Sequence, residues 1–143
     1  MRDLISRELE TGKAGEYLTL YKLLRQGFRA FPSDQGLPYD LLVDVDGRVF
    51  RVQVKTTERR STYGASKDVL RFSTRRARGT NRAASVLDCD FYALVDLERE
   101  VVGFFPTESL ESTKNPGQVI QTIERRDLSP FSSFSQALEL KKQ

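Results

Sequence analysis

Asp40, Gln53 and Lys55 are the residues of this chain whose types and spacing can do chemistry. They lie in one stretch, Pro38-Tyr-Asp-Leu-Leu-Val-Asp-Val-Asp-Gly-Arg-Val-Phe-Arg-Val-Gln-Val-Lys55. Two runs rich in β-branched and aromatic residues flank Asp46-Gly47, a tight-turn signal, so the stretch reads as a β-hairpin. Alternation along its second strand puts Gln53 and Lys55 on one face and Val52 and Val54 on the other. An acid thus opens one strand beside a strand that carries an amide and an ammonium. Hydrolysing a phosphodiester needs an attacking water, charge compensation at phosphorus and stabilisation of the leaving alkoxide. A hard divalent cation on oxygen ligands supplies much of this. Asp40 is placed to hold such an ion, Mg²⁺ with Mn²⁺ as a substitute, and the Gln53 amide oxygen and the Val54 carbonyl add neutral oxygens. Lys55 is placed to orient the water or to meet developing negative charge. Glu16, in Lys13-Ala-Gly-Glu-Tyr, is a second carboxylate able to reach the same place, and Gly12 and Gly15 permit close approach of its helix.

The rest of the composition narrows the choice. There is no histidine and one cysteine, Cys89, which excludes a His/Cys zinc site, an intramolecular disulfide and Ser-His or Cys-His nucleophiles. Cys89 reads as a small buried or loop residue. No long apolar run or signal-peptide core is present, so a soluble, cytoplasmic protein without membrane contact is expected. The 143 residues suit one domain spanning 1–143.

Charge is segregated. Between Arg48 and Arg82 stand eleven basic residues and two acids, a local charge of +9, while the remainder carries −6. Such a block is the footprint of a nucleic-acid face. Lys13, Arg59, Arg60, Lys67, Arg71, Arg75, Arg76, Arg78 and Arg82 are the candidate DNA contacts, with Arg71, Arg75, Arg76 and Arg78 proposed for base edges in the major groove. A domain this small offers too little interface to choose a rare site alone, which predicts a homo-oligomer, dimer or tetramer.

These groups must be positioned by surrounding elements. The spacing of Ala14, Tyr17, Leu18, Tyr21 and Leu24 predicts a helix over about Thr11–Arg25, ended by Gly27, with Tyr17 and Tyr21 in the core. Met1–Leu9 reads as a short preceding helix. Strands are expected at Phe28–Phe31, in the hairpin, at Val69–Thr74, Phe91–Val95 and Val101–Phe105, and around Gln118–Ile123. Thr56–Lys67 and Arg75–Arg82 read as irregular, the latter an exposed basic loop. Pro106–Leu110 reads as one helical turn, and a terminal helix follows the serine cluster Ser132–Ser135. The order predicts a mixed α/β sheet with helices packed on it.

Glu16, Pro38/Asp40 and Gln53-Val54-Lys55 together resemble the PD-(D/E)XK nuclease superfamily. Tyr39 intervenes in the "PD" element, and Gln53 stands where the family has Asp or Glu. Gly15-Glu16, Tyr39-Asp40, Gln53-Val54-Lys55 and the closing strands around Phe91–Val95 and Val102–Pro106 are similar to the small cyanobacterial-type group I intron homing endonucleases. The resemblance covers roughly Gly12 to Leu110. It implies a restriction-endonuclease-like mixed sheet flanked by helices, with an α-β-β-β-α-β core. It also implies sequence-specific, Mg²⁺-dependent cleavage of double-stranded DNA. A Holliday junction resolvase and a non-catalytic DNA-binding module are the competing readings.

Overall fold

In the computed structural model, which describes residues 7–34, 36–58, 68–75 and 83–141, helix α1 runs over Arg7–Arg25. Its end is closed by Gly27, whose φ of +94° suits a residue without Cβ. The Gly27 N–H donates to the Leu24 carbonyl and the Phe28 N–H to the Leu23 carbonyl, both at 3.0 Å, a Schellman cap. Residues 7–9 continue α1 where a separate short helix was expected; Met1–Ser6 lie outside the described residues.

The packed face of α1 corrects the sequence reading. It carries Gly15, Thr19 and Leu23, whereas Tyr17 and Tyr21, expected in the core, are 63% and 56% exposed. The cause is close approach: a Cβ on Gly15 would overlap the Thr56 hydroxyl. No phenol ring fits between helix and sheet at that separation.

Strands β1 (Arg29–Pro32), β2 (Leu41–Val45) and β3 (Arg48–Thr57) form an antiparallel meander. The β2–β3 turn places Asp46 and Gly47 at φ +53° and +89°, the type I′ pattern that matches strand twist. Asp44 Oδ1 accepts the Gly47 N–H at 2.9 Å. The chain then leaves this sheet for β4 (Leu70–Ser73) and returns as β5 (Phe91–Asp96), parallel to β3. Strand β6 (Val101–Pro106) is antiparallel to β5, giving the order β1-β2-β3-β5-β6. Among the described residues the β3-to-β5 crossover carries β4 and no helix. A 3₁₀ turn over Thr107–Leu110 follows Pro106 as expected. Strand β7 (Thr122–Arg125) pairs with β4 in a separate two-stranded ribbon. Helix α2 (Phe134–Lys141) closes the described chain, its Ser133 Oγ accepting the Gln136 N–H at 3.2 Å.

Two apolar layers sandwich the five-stranded sheet. On one side Leu23, Val52, Val54, Phe91 and Phe134 join α1 and α2 to it. On the other, Tyr92 and Leu94 meet Leu70, Phe72 and Ile123 of the ribbon. All six residues of β5 are buried, as a strand covered on both faces requires. No described helix is long and apolar enough to cross a membrane.

Candidate active site

Alternation in β3 sends Val52 and Val54 into the helix-side core and leaves Gln53 and Lys55 half-buried on the opposite face. That face borders a cleft of about 410 Å³, lined by Glu16, Asp40, Gln53 and Lys55 together with Lys13 and Asp34. The structure therefore brings all four sequence-predicted catalytic positions to one concavity, from α1, the start of β2 and the middle of β3.

Asp40 is fixed by the backbone on both sides. Its N–H donates to the carbonyl of Val52, the partner of Leu41, at 2.8 Å, which ties the head of β2 to β3. Its Oδ2 accepts the Val54 N–H at 2.8 Å. The preceding loop is pinned as well, since Ser33 N–H donates to the Asp40 carbonyl at 2.9 Å and Ser33 Oγ donates to the Tyr39 carbonyl at 2.6 Å. Burial pushes the Asp40 carboxyl above the ordinary carboxylate value; the Val54 N–H and the charges of Lys55 and Lys13 oppose the shift without cancelling it.

Glu16 reaches the cleft because Gly15 lets α1 lie against Thr56. Its carboxyl is raised too, first by burial and then by the nearby charge of Asp40, with Lys13 opposing. Lys13 Nζ lies 3.4 Å from Glu16 Oε1, so this residue, read from sequence as a DNA contact, stands at the carboxylates. Gln53 Nε2 donates to the Val54 carbonyl at 3.4 Å, which makes the amide and that carbonyl neighbours.

The donor set fits a hard divalent cation. Two carboxylates, an amide oxygen and a main-chain carbonyl are all oxygen ligands, the set preferred by Mg²⁺ or Mn²⁺. Among the described residues no three His, Cys, Asp or Glu side chains cluster for a metal. A cation here would thus depend on neutral oxygens where a third acid is absent.

Of the other candidate DNA contacts, Arg71 lies on β4 and Arg75 just past it, while Arg59, Arg60, Lys67, Arg76, Arg78 and Arg82 lie outside the described residues. The cleft also includes Thr74 and Tyr92, which sequence reasoning took only as strand residues. Tyr92, cross-strand from Gln53, was signalled by a hydroxyl within an otherwise apolar strand. Cys89 is buried as expected, and burial pushes its thiol up to about 11, so it is unsuited to nucleophilic work.

A family model described as PD-(D/E)XK endonuclease matches residues 7–132. Among solved structures, the bacterial homing endonuclease I-Ssp6803I superposes with a TM-score of 0.63 at 23% identity, covering 96% of this chain and 93% of that chain. The Holliday junction resolvase Hjc of the archaeal hyperthermophile Archaeoglobus fulgidus superposes with a TM-score of 0.50 at 20% identity, covering 88% and 97%. No curated protein matches the chain. At these identities the likeness is one of fold, and it bears out the mixed, helix-flanked sheet expected from the sequence.

Proposed function

The chain belongs to the PD-(D/E)XK endonuclease family, and on that premise we propose that it is a sequence-specific, Mg²⁺-dependent endonuclease of double-stranded DNA. The observation that carries the reading is the convergence of Glu16, Asp40, Gln53 and Lys55 on one cleft. Asp40, Glu16, the Gln53 amide and the Val54 carbonyl would hold the cation, which when bound supplies Lewis-acid stabilisation of phosphoryl charge and makes water more acidic.

The side chains do the rest. Lys55 places a positive charge beside the scissile phosphate, where negative charge grows in the transition state. Asp40, tethered to the Val54 N–H, keeps its carboxylate in one orientation. Glu16 is the second acid, held near its working position by Lys13. The other basic residues of the stretch engage the phosphate backbone of the duplex. Cutting both strands requires two such clefts, so the working form is a homo-oligomer, dimer or tetramer, acting in the cytoplasm.

Cleavage of a genomic duplex library, random duplex and four-way junctions with Mg²⁺ or with EDTA tests the reading. Discrete Mg²⁺-dependent cuts in the library, lost in Asp40→Ala and Lys55→Ala, are expected. Cutting of junctions whatever their sequence would replace it with a resolvase. Binding without cleavage under any divalent ion would reduce the chain to a DNA-binding module. Sedimentation at micromolar concentration should give a multiple of the 16.3 kDa chain mass.

A further inference from the structure

The two faces of the β4–β7 ribbon differ. Leu70, Phe72 and Ile123 are buried in the second core, which mounts the ribbon rigidly on the sheet. The opposite face is polar throughout: Arg71 and Ser73 of β4 stand in register with Glu124 and Thr122 of β7. Arg71 Nε and Nη2 lie 2.9 and 2.8 Å from Glu124 Oε2. One step beyond the strand, Arg75 Nη2 donates to Gln121 Oε1 at 2.9 Å. Both arginines are thus held by a β7-side acceptor distant in sequence.

Stability does not account for this. An exposed ion pair contributes about 0–1 kcal/mol; the Arg71–Glu124 pair is exposed, as is the Arg75–Gln121 hydrogen bond. Fixing the plane of a guanidinium is a different gain, because bidentate recognition depends on that plane. Position agrees. Thr74, between Ser73 and Arg75, lines the active-site cleft, and its hydroxyl donates to the Ile120 carbonyl at 2.6 Å. The C-terminal end of β4, between its polar face and the core, therefore reaches the cleft. The β4 half of the ribbon sits inside the stretch of local charge +9 between Arg48 and Arg82, complementary to a polyanion. A two-stranded ribbon is of a size that the DNA major groove admits, and arginine there pairs with guanine O6 and N7.

We infer that the β4–β7 ribbon is a base-reading element for duplex DNA. Arg71 and Arg75 contact guanine edges, and Glu124 and Gln121 are positioning residues that set their planes. This rests on the DNA-cleaving reading above and adds to it a strand, β7, that lies outside the basic stretch. Nothing in the site chemistry requires Glu124 or Gln121, so a base-reading role gives these two side chains their use.

Binding selection from a randomised duplex library in EDTA tests it without needing cleavage. Wild type, Arg71→Ala, Glu124→Ala, Gln121→Ala and the control Glu98→Ala are compared on the intact chain, with thermal midpoints alongside. Wild type should select a consensus containing guanine. Arg71→Ala should erase preference at one position, and Glu124→Ala should weaken that same position roughly tenfold. Gln121→Ala should weaken a neighbouring position, and Glu98→Ala should change nothing. An unchanged consensus in all variants overturns the inference, as does an even loss of affinity across every position, the mark of phosphate contacts. A wild type that selects no consensus also overturns it. Mg²⁺-dependent cutting of the same preparation reports separately whether the nuclease reading stands.

Discussion

At the residue scale, the site combines groups that the fold would be more stable without. Burial raises the Asp40 carboxyl above its ordinary value. Between the unfolded and folded pKa values the folded chain keeps a proton that the unfolded chain has lost, so stability falls as pH rises through that window. Above both values the ionised group remains a standing cost. Asp40→Asn retains an acceptor for the Val54 N–H and removes the charge. In EDTA at neutral pH it should raise the thermal midpoint by a few degrees, while cleavage in Mg²⁺ falls about 10²–10³-fold. The gain should disappear as pH drops below the ordinary carboxylate range. A lower midpoint than wild type at neutral pH would mean that Asp40 is a structural acid. Gln53 sets a second expectation. Gln53→Glu restores the acid that the family motif carries, and it should lower the half-saturating Mg²⁺ concentration about tenfold; an unchanged or higher value would place Gln53 off the ion. Gln53 and Lys55 were legible because strand alternation decides their face, and Asp40 because it stands at the head of the neighbouring strand. The place of Lys13 in the cleft was not, since which face of a helix turns to the sheet depends on how closely the two pack.

At the element scale, the depth of α1 is set by one contact. Gly15 sits where any Cβ would meet the Thr56 side chain, whose own Cβ lies 2.9 Å from that position. Gly15→Ala should therefore push the helix outward, costing about 1–3 kcal/mol, and carry Glu16 away from Asp40, so that cleavage falls more than stability alone explains. Thr56 offers the complementary test. Its Oγ1 is buried with no hydrogen-bond partner among the described residues. Thr56→Val keeps the shape and discards the unpaired hydroxyl, and should add about 1 kcal/mol in urea unfolding. A loss of similar size would show that the hydroxyl is bonded after all. The same contact explains where helix periodicity misled. Tyr17, Tyr21 and Leu24 do form an apolar row, but the buried row is Gly15, Thr19 and Leu23, in which two small residues allow close approach and only Leu23 is a large apolar side chain. Strands fared better, because Asp46-Gly47 fixed the hairpin register and β5 could only be a doubly covered strand. The ribbon pairing of β4 with β7 was out of reach, since partners about 50 residues apart leave no local pattern.

At the scale of the whole molecule, net charge conceals the property that governs DNA binding. A chain of formal charge +3 spread evenly would touch few phosphates and bind with little salt dependence. Here +9 is gathered between Arg48 and Arg82 and −6 is left elsewhere, a segregation along the chain that predicts a steeper salt dependence than the net charge does. Each phosphate neutralised releases counterions and adds about 0.9 to the slope of log affinity against log salt. If about five of the nine net charges engage phosphates, the slope for a short random duplex is about −4.5 per chain. Titration between low and physiological salt, with the mass of the binding species known from sedimentation, reads it directly. Arg59→Ala with Arg60→Ala, assigned by sequence to the phosphate track, should make the slope shallower by about two while leaving any selected consensus intact. A wild-type slope no steeper than about −2 would mean that the segregated charge is not the DNA face. Indifference of the slope to the double substitution would move the track to other arginines.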